Sequence, residues 1–255
     1  MAAGKTPGPH VKVPLAVRNA DLPKRMATAV VMLVVSGFAL WLGGLAWTVF
    51  VLMIGLGVWF EWSALALAFT APGRVRTVWR SSGAVYCGMA CAILIQLREY
   101  PAGAALILLA VGAVVGTDVG AYFAGRAIGG PKIAPRISPS KTWAGLVGGM
   151  AGASLVVWLV LDNAGRILAG TPNAAVTAVE TIRNPMAIIG MGIAVAVVAQ
   201  AGDFFESWMK RSAGVKDSGK LLPGHGGLFD RVDGLLAVLV VFGTIFIIVR
   251  LSTLT

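Results

Sequence analysis

The chain has 255 residues, is 57% hydrophobic and has a mean hydropathy of +0.83. Only 13% of its residues are charged, against about a quarter in a soluble domain, which excludes an ordinary soluble globular protein. The net charge of +10 does not point to nucleic acid, because the basic residues fall between apolar runs, as membrane topology requires; anionic lipid head groups are the natural partners.

In chain order, residues 1–25 are basic and contain proline, and read as a disordered cytoplasmic tail; residues 26–250 read as one integral membrane domain. Seven apolar spans are predicted, at about 26–42, 45–69, 78–97, 102–124, 143–161, 185–201 and 228–249, each near the roughly 20 residues a membrane helix needs. Further spans follow the first, so it reads as an anchoring helix rather than a cleaved signal. Gly43-Gly44 is the expected tight turn between the first two spans. The long second span could break into shorter helices, so the expected fold is an all-α polytopic bundle of about seven to nine transmembrane helices. Cys87 and Cys91, four apart in an apolar run, read as small buried side chains on one helix face.

The lysines and arginines test this layout. With the N-terminal tail in the cytoplasm, only Arg98, Arg166, Arg183 and Arg250 of the 21 fall outside, as the positive-inside rule requires. The C-terminus then falls outside. On the same layout Glu61, Asp118, Asp203, Glu206, Asp217, Asp230 and Asp233 converge on the cytoplasmic half of the membrane and its loops. Charge so placed costs free energy and marks a functional site.

The densest charge lies in GDFFESWMKRSAGVKDSGKLLPGHGGLFDRVD, residues 202–233. Asp203, Glu206 and Lys210 share one face of a helix, and so do Asp230 and Asp233. Intrahelical salt bridges with Lys210, Arg211 and Arg231 would explain a surface helix. Carboxylates at the mouth of a span fit better with a divalent cation held from two helices, and Mg²⁺ suits oxygen ligands and bridges to phosphates. Asp203 and Asp230 are the leading ligands.

Between the fourth and fifth spans lies IGGPKIAPRISPSKTW, residues 128–143. Ser138 and Thr142 are candidate N-caps for the fifth span, with Lys141 beside them. This arrangement could be ordinary capping or an anion site at a helix N-terminus. In PGHGG, residues 223–227, glycines permit close backbone approach to a ligand, and His225 either contacts it or holds the turn. No phosphate-binding Walker loop, catalytic triad or zinc pattern is present.

The run from Ser207 to Asp233 resembles the signature of the phosphatidate cytidylyltransferases (CDP-diacylglycerol synthases). Ser207, Lys210-Arg211, Lys216-Asp217, Gly219, Pro223, His225-Gly226-Gly227, Asp230-Arg231 and Asp233 carry it. GDFFES (202–207), DVGAYFAGRAIG (118–129) and ISPSKT (137–142) are similar to the family too, with Ser140 where the family has a basic residue. The likeness covers roughly residues 110–250.

The resemblance implies that CTP and phosphatidic acid give CDP-diacylglycerol and pyrophosphate in phospholipid biosynthesis, with Mg²⁺ and room for a second, monovalent cation such as K⁺. It implies that the positions of Asp203 and Asp230 hold the metal, and that the protein is a homodimer in the cell membrane. On this reading Asp118, Glu206 and Asp233 are further ligands or lie behind them. Lys141, Lys210, Arg211, Lys216 and Arg231 contact phosphate. Asp217 and His225 belong to the catalytic segment, while Ser138, Thr142, Ser207, Gly226 and Gly227 help to bind substrate. The alternatives are a secondary transporter, which would show two similar halves, a cytidylyltransferase for a different lipid, and a non-catalytic lipid-binding scaffold.

Overall fold

A computed structural model of the chain describes residues 22–100, 102–163, 184–222 and 226–252. Helices α1 (Leu22–Leu42), α2 (Gly44–Ala68), α3 (Gly73–Glu99) and α4 (Gly103–Ala127) come first. A two-stranded antiparallel hairpin, β1 (Lys132–Ala134) and β2 (Ser138–Thr142), leads into α5 (Trp143–Asp162) and α6 (Pro185–Ser212). The last span is α7 (Phe229–Val238), a π-helical turn (Leu239–Gly243) and α8 (Thr244–Ser252). Six of these segments are long and apolar enough to cross a membrane among the described residues, and the apolar part of α1, Met26–Leu42, is shorter. The chain is an all-α, multi-pass membrane bundle. Of the tail expected at residues 1–25, residues 1–21 lie outside the described residues and the last four open α1.

The second span is one unbroken helix of 25 residues. The α1–α2 turn is the expected one, with Gly43 and Gly44 at φ 65° and 48°, a region that L side chains avoid. Arg98, at the end of α3, donates from Nε to the Leu40 carbonyl at 2.9 Å and so satisfies the end of α1. Cys87 and Cys91 are free and buried, as expected, and the Cys91 thiol lies against the Val51 carbonyl of α2.

Two features set the position of the charged region. The first is an aromatic hub. Trp62 of α2 is almost fully buried and packs its ring on Tyr86 of α3, Phe205 of α6 and Phe229 of α7, with centroids 5.4–5.6 Å apart. Its indole N–H donates to the Trp79 carbonyl at 2.7 Å, which removes the cost of burying that polar group.

The second is a glycine seam between α4 and α5. Lipid gives packed helices no hydrophobic advantage, so small residues that let backbones approach drive association. A Cβ at Gly120 would stand 2.2 Å from the Gly148 carbonyl oxygen, and one at Gly152 would stand 2.1 Å from that of Gly116. Such contact is closed to any other residue. The seam holds the hairpin joining the two helices close to Asp118.

Sequence periodicity did not show this hairpin, because residues 128–143 carry no alternating apolar pattern. Ser138 does not cap a helix; it opens β2 and is buried. Thr142 is the cap, accepting the Gly145 N–H on Oγ1 at 3.0 Å. Helix α6 is longer than its apolar stretch of 185–201. Its 28 residues span about 42 Å, against about 30 Å of hydrocarbon. Asp203, Glu206 and Lys210 therefore ride on the same rigid helix that crosses the membrane.

Replacing Gly120 or Gly152 with alanine is expected to force α4 and α5 apart and cost about 1–3 kcal/mol. Thermal unfolding in detergent checks this. Gly88→Ala, where an added Cβ meets nothing within 4 Å, is the control and leaves the midpoint unchanged.

Candidate active site

A cleft of about 700 Å³ opens between α4, the start of α5, the second half of α6 and the start of α7. Asp118, Lys141, Thr142, Asp203, Glu206, Lys210, Asp217, Asp230, Arg231 and Asp233 all line it. The structure thus brings together residues from four separated stretches of sequence. Gly226 and Gly227 lie beside them at the mouth of α7, Gly226 at φ 83°. Ser207 sits behind Asp203, its hydroxyl donating to Asp203 Oδ1 at 3.3 Å.

Ser138, Arg211 and Lys216 are not among the residues lining the cleft. Arg211 is exposed and turns to the hairpin, donating from Nε to the Ile137 carbonyl at 3.5 Å and from Nη1 to the Val215 carbonyl at 3.3 Å. Lys216 is exposed. His225 lies outside the described residues.

The carboxylates fall into two groups. Asp203, Glu206 and Asp233 each offer one oxygen, all within 4.8 Å of one another. Glu206 is almost fully buried, and its Oε1 has no hydrogen-bond partner among the described residues. A close oxygen triad with an unanswered buried oxygen fits a hard divalent cation. Asp230 is satisfied differently. Its Oδ1 accepts from Lys210 Nζ at 2.6 Å. Its Oδ2 accepts the N–H groups of Ser218 and Gly227 at 3.0 and 2.9 Å.

Two lysines balance these acids. Lys141 pairs with Asp203, and Lys210 pairs with both Glu206 and Asp230. Burial disfavours the charged form of Lys141, but the Asp203 carboxylate, with Asp118 and Asp233 beyond it, outweighs that and holds the ammonium above its ordinary value. Lys141 is therefore a fixed positive charge beside the N-terminus of α5.

Several contributors were not legible as site residues. Tyr122 and Arg126 follow Asp118 at four-residue steps on α4 and line the cleft, with Arg126 Nη1 donating to the Tyr122 hydroxyl at 2.8 Å. Gln200 lies one turn before Asp203 on α6. Glu61 was legible as one of the converging acids, but its role was not. It comes from α2, is 4% exposed, and accepts the N–H groups of Leu228 and Phe229 at 3.0 and 2.8 Å. The Ser218 hydroxyl lies 2.9 Å from Glu61 Oε2 and 3.0 Å from Asp230 Oδ2, so one hydroxyl stands between two carboxylates. The signal was present: a lone acid in an apolar helix has to be answered by buried donors.

The glycines of the signature segment make this contact possible. A Cβ at Gly219 would stand 2.1 Å from Glu61 Oε1, and one at Gly227 would stand 2.0 Å from the Ser218 hydroxyl.

Residues 73–249 match the cytidylyltransferase family. The phosphatidate cytidylyltransferase of Brucella suis biovar 1 (strain 1330) is 35% identical over 275 aligned residues, which cover 89% of this chain and 94% of that protein. Shorter matches include the enzymes of that name from Haemophilus influenzae, 37% identical over 58% of this chain and 47% of that protein, and Bacillus subtilis, 36% identical over 61% and 53%. The chain belongs to the cytidylyltransferase family. It is an enzyme, a nucleotidyltransferase carried in a membrane bundle. Glu61 lies outside residues 73–249, yet it holds the turn before α7 within that range in place.

Each N–H donated to a carboxylate is worth about 1.5–3 kcal/mol. Glu61→Ala is expected to lower the unfolding midpoint and remove most nucleotidyl transfer, and Glu61→Gln to do both to a lesser degree. Thermal unfolding and CTP turnover, measured on the same preparations, check this.

Proposed function

We propose that the chain is a phosphatidate cytidylyltransferase of the cell membrane, joining CTP to phosphatidic acid and releasing pyrophosphate. The observation that carries this reading is the cleft itself. Three clustered carboxylates stand between cationic Lys141 and Lys210, at the charged end of membrane helices, where a lipid phosphate and a nucleotide triphosphate can meet.

The chemistry needs little from acid–base groups. A phosphomonoester has its second pKa near 6, so the lipid phosphate is largely dianionic at neutral pH and needs no general base. One of its oxygens attacks the α-phosphorus of CTP. The bond from that phosphorus to the bridging oxygen breaks, and pyrophosphate leaves with the electron pair. The difficulty is bringing two polyanions together, so positioning and charge carry the catalysis.

Asp203, Glu206 and Asp233 would hold Mg²⁺, with Asp118 at the edge of the set. The bound ion would supply charge neutralisation to the approaching phosphates. Lys141 and the N-terminus of α5 form an anion site for a phosphate group. Lys210 and Arg231 face the same space, and Arg126 extends the positive rim. Asp230 fixes Lys210 and the turn before α7. We place this end of the bundle in the cytoplasm, where CTP is available, with the lipid entering sideways from the inner leaflet.

Purified protein with phosphatidic acid and labelled CTP is expected to release pyrophosphate, and EDTA is expected to abolish the release. Solute flux in proteoliposomes without any nucleotide dependence would instead support a transporter. Asp203→Asn and Asp230→Asn are each expected to remove turnover by at least about a hundredfold while leaving membrane insertion intact. Full activity in Asp203→Asn removes the metal assignment. Full activity in Asp230→Asn removes the role given to the Lys210 pairing.

A further inference from the structure

Gln200 is 5% exposed and lines the floor of the cleft. Its amide nitrogen has no hydrogen-bond partner among the described residues. That nitrogen lies close to Gly149 of α5 and Thr117 of α4, for a Cβ at Gly149 would stand 3.3 Å from it, yet neither residue is hydrogen-bonded to it. A buried amide left unanswered costs stability, and a ligand acceptor removes that cost.

The position indicates which ligand. Gln200 shares one face of α6 with Asp203, Glu206 and Lys210. It lies three residues to the apolar side of Asp203, about 4.5 Å along the helix axis. A group that binds there extends from the charged site toward the middle of the membrane. In a diacyl lipid phosphate, the first acceptors in that direction are the ester carbonyls, a few bonds beyond the phosphate. A nucleobase carries acceptors too, but it would have to pass the carboxylates and lie at apolar depth.

We propose that Gln200 donates a hydrogen bond from its amide nitrogen to an ester carbonyl oxygen of the lipid substrate, making the enzyme selective for acyl over alkyl chains. This rests on the phosphatidate reading above and names what that reading leaves open.

The test compares diacyl phosphatidate with its dialkyl ether analogue, which has no carbonyl, using the full chain in mixed micelles. The wild type is expected to favour the diacyl lipid by about tenfold in kcat/KM. Gln200→Met, close in shape, is expected to bring the ratio near one by raising KM for the diacyl lipid, with KM for CTP unchanged. A ratio unaltered in Gln200→Met overturns the proposal, as does a change in KM for CTP instead of for the lipid. Should Gln200→Met fail to fold, equal use of the two lipids by the wild type overturns it and the tenfold preference supports it. Thermal stabilisation by each lipid without CTP gives the same comparison independently of turnover. Absence of CTP-dependent pyrophosphate release in the wild type would sink the parent reading, while the lipid-binding difference would still decide the role of Gln200.

Discussion

Carboxylates crowded into a half-buried cleft repel one another and lose their hydration, so each needs a donor or a cation of its own. The pairings in this bundle follow from that requirement. Glu61 is answered by two backbone N–H groups and a hydroxyl, and Asp230 by two backbone N–H groups and Lys210. Asp203 is answered by Lys141 and Ser207. What remains is the buried Oε1 of Glu206, inside the triad suited to a cation. The unmet demand is local, and it coincides with the place where the chemistry has to happen.

Meeting those demands depends on backbone getting close to side chains, which explains where the glycines fall. Gly219 and Gly227 leave space for Glu61 and Ser218, and the seam of Gly116, Gly120, Gly148 and Gly152 draws α4 onto α5. The first pair shapes the turn that presents Asp230. The second brings Asp118 and Lys141 to the same opening from helices joined only through the hairpin. The Trp62 hub fixes the third side, because it touches both Phe205, two residues after Asp203, and Phe229, one residue before Asp230.

Much of this was legible in the sequence, for identifiable reasons. Apolar run length gave all seven hydrophobic segments, since the bilayer imposes that length directly. Spacing of three and then four residues placed Asp203, Glu206 and Lys210 on one face because a helix has a fixed period. The hairpin at 132–142 was not legible, since its strands are short and lack alternation. The contact between Glu61 and Ser218 was not either: 157 residues separate them, and contact across that distance depends on how the helices pack. The division between Asp203 and Asp230 was also hidden. Sequence made them equivalent acids on two helices, whereas the turn at Gly226-Gly227 gives Asp230 its own set of backbone donors.

That division follows from helix electrostatics. Asp230 lies in the first turn of α7, where the helix dipole and free N–H groups favour a negative charge, and Lys210 and Arg211 lie in the last turn of α6, where a positive charge is favoured. These residues are stabilised by the ends of their own helices. Asp203 and Glu206 lie further back on α6, beyond the reach of either terminus, where their own helix offers only the Ser207 hydroxyl and Lys210. They depend on cations: Lys141 across the cleft, Lys210 one turn on, and by our proposal a bound metal ion. The acids best suited to a cation are those the backbone leaves without support, and the same long helix places them within two turns of Gln200 and the apolar interior.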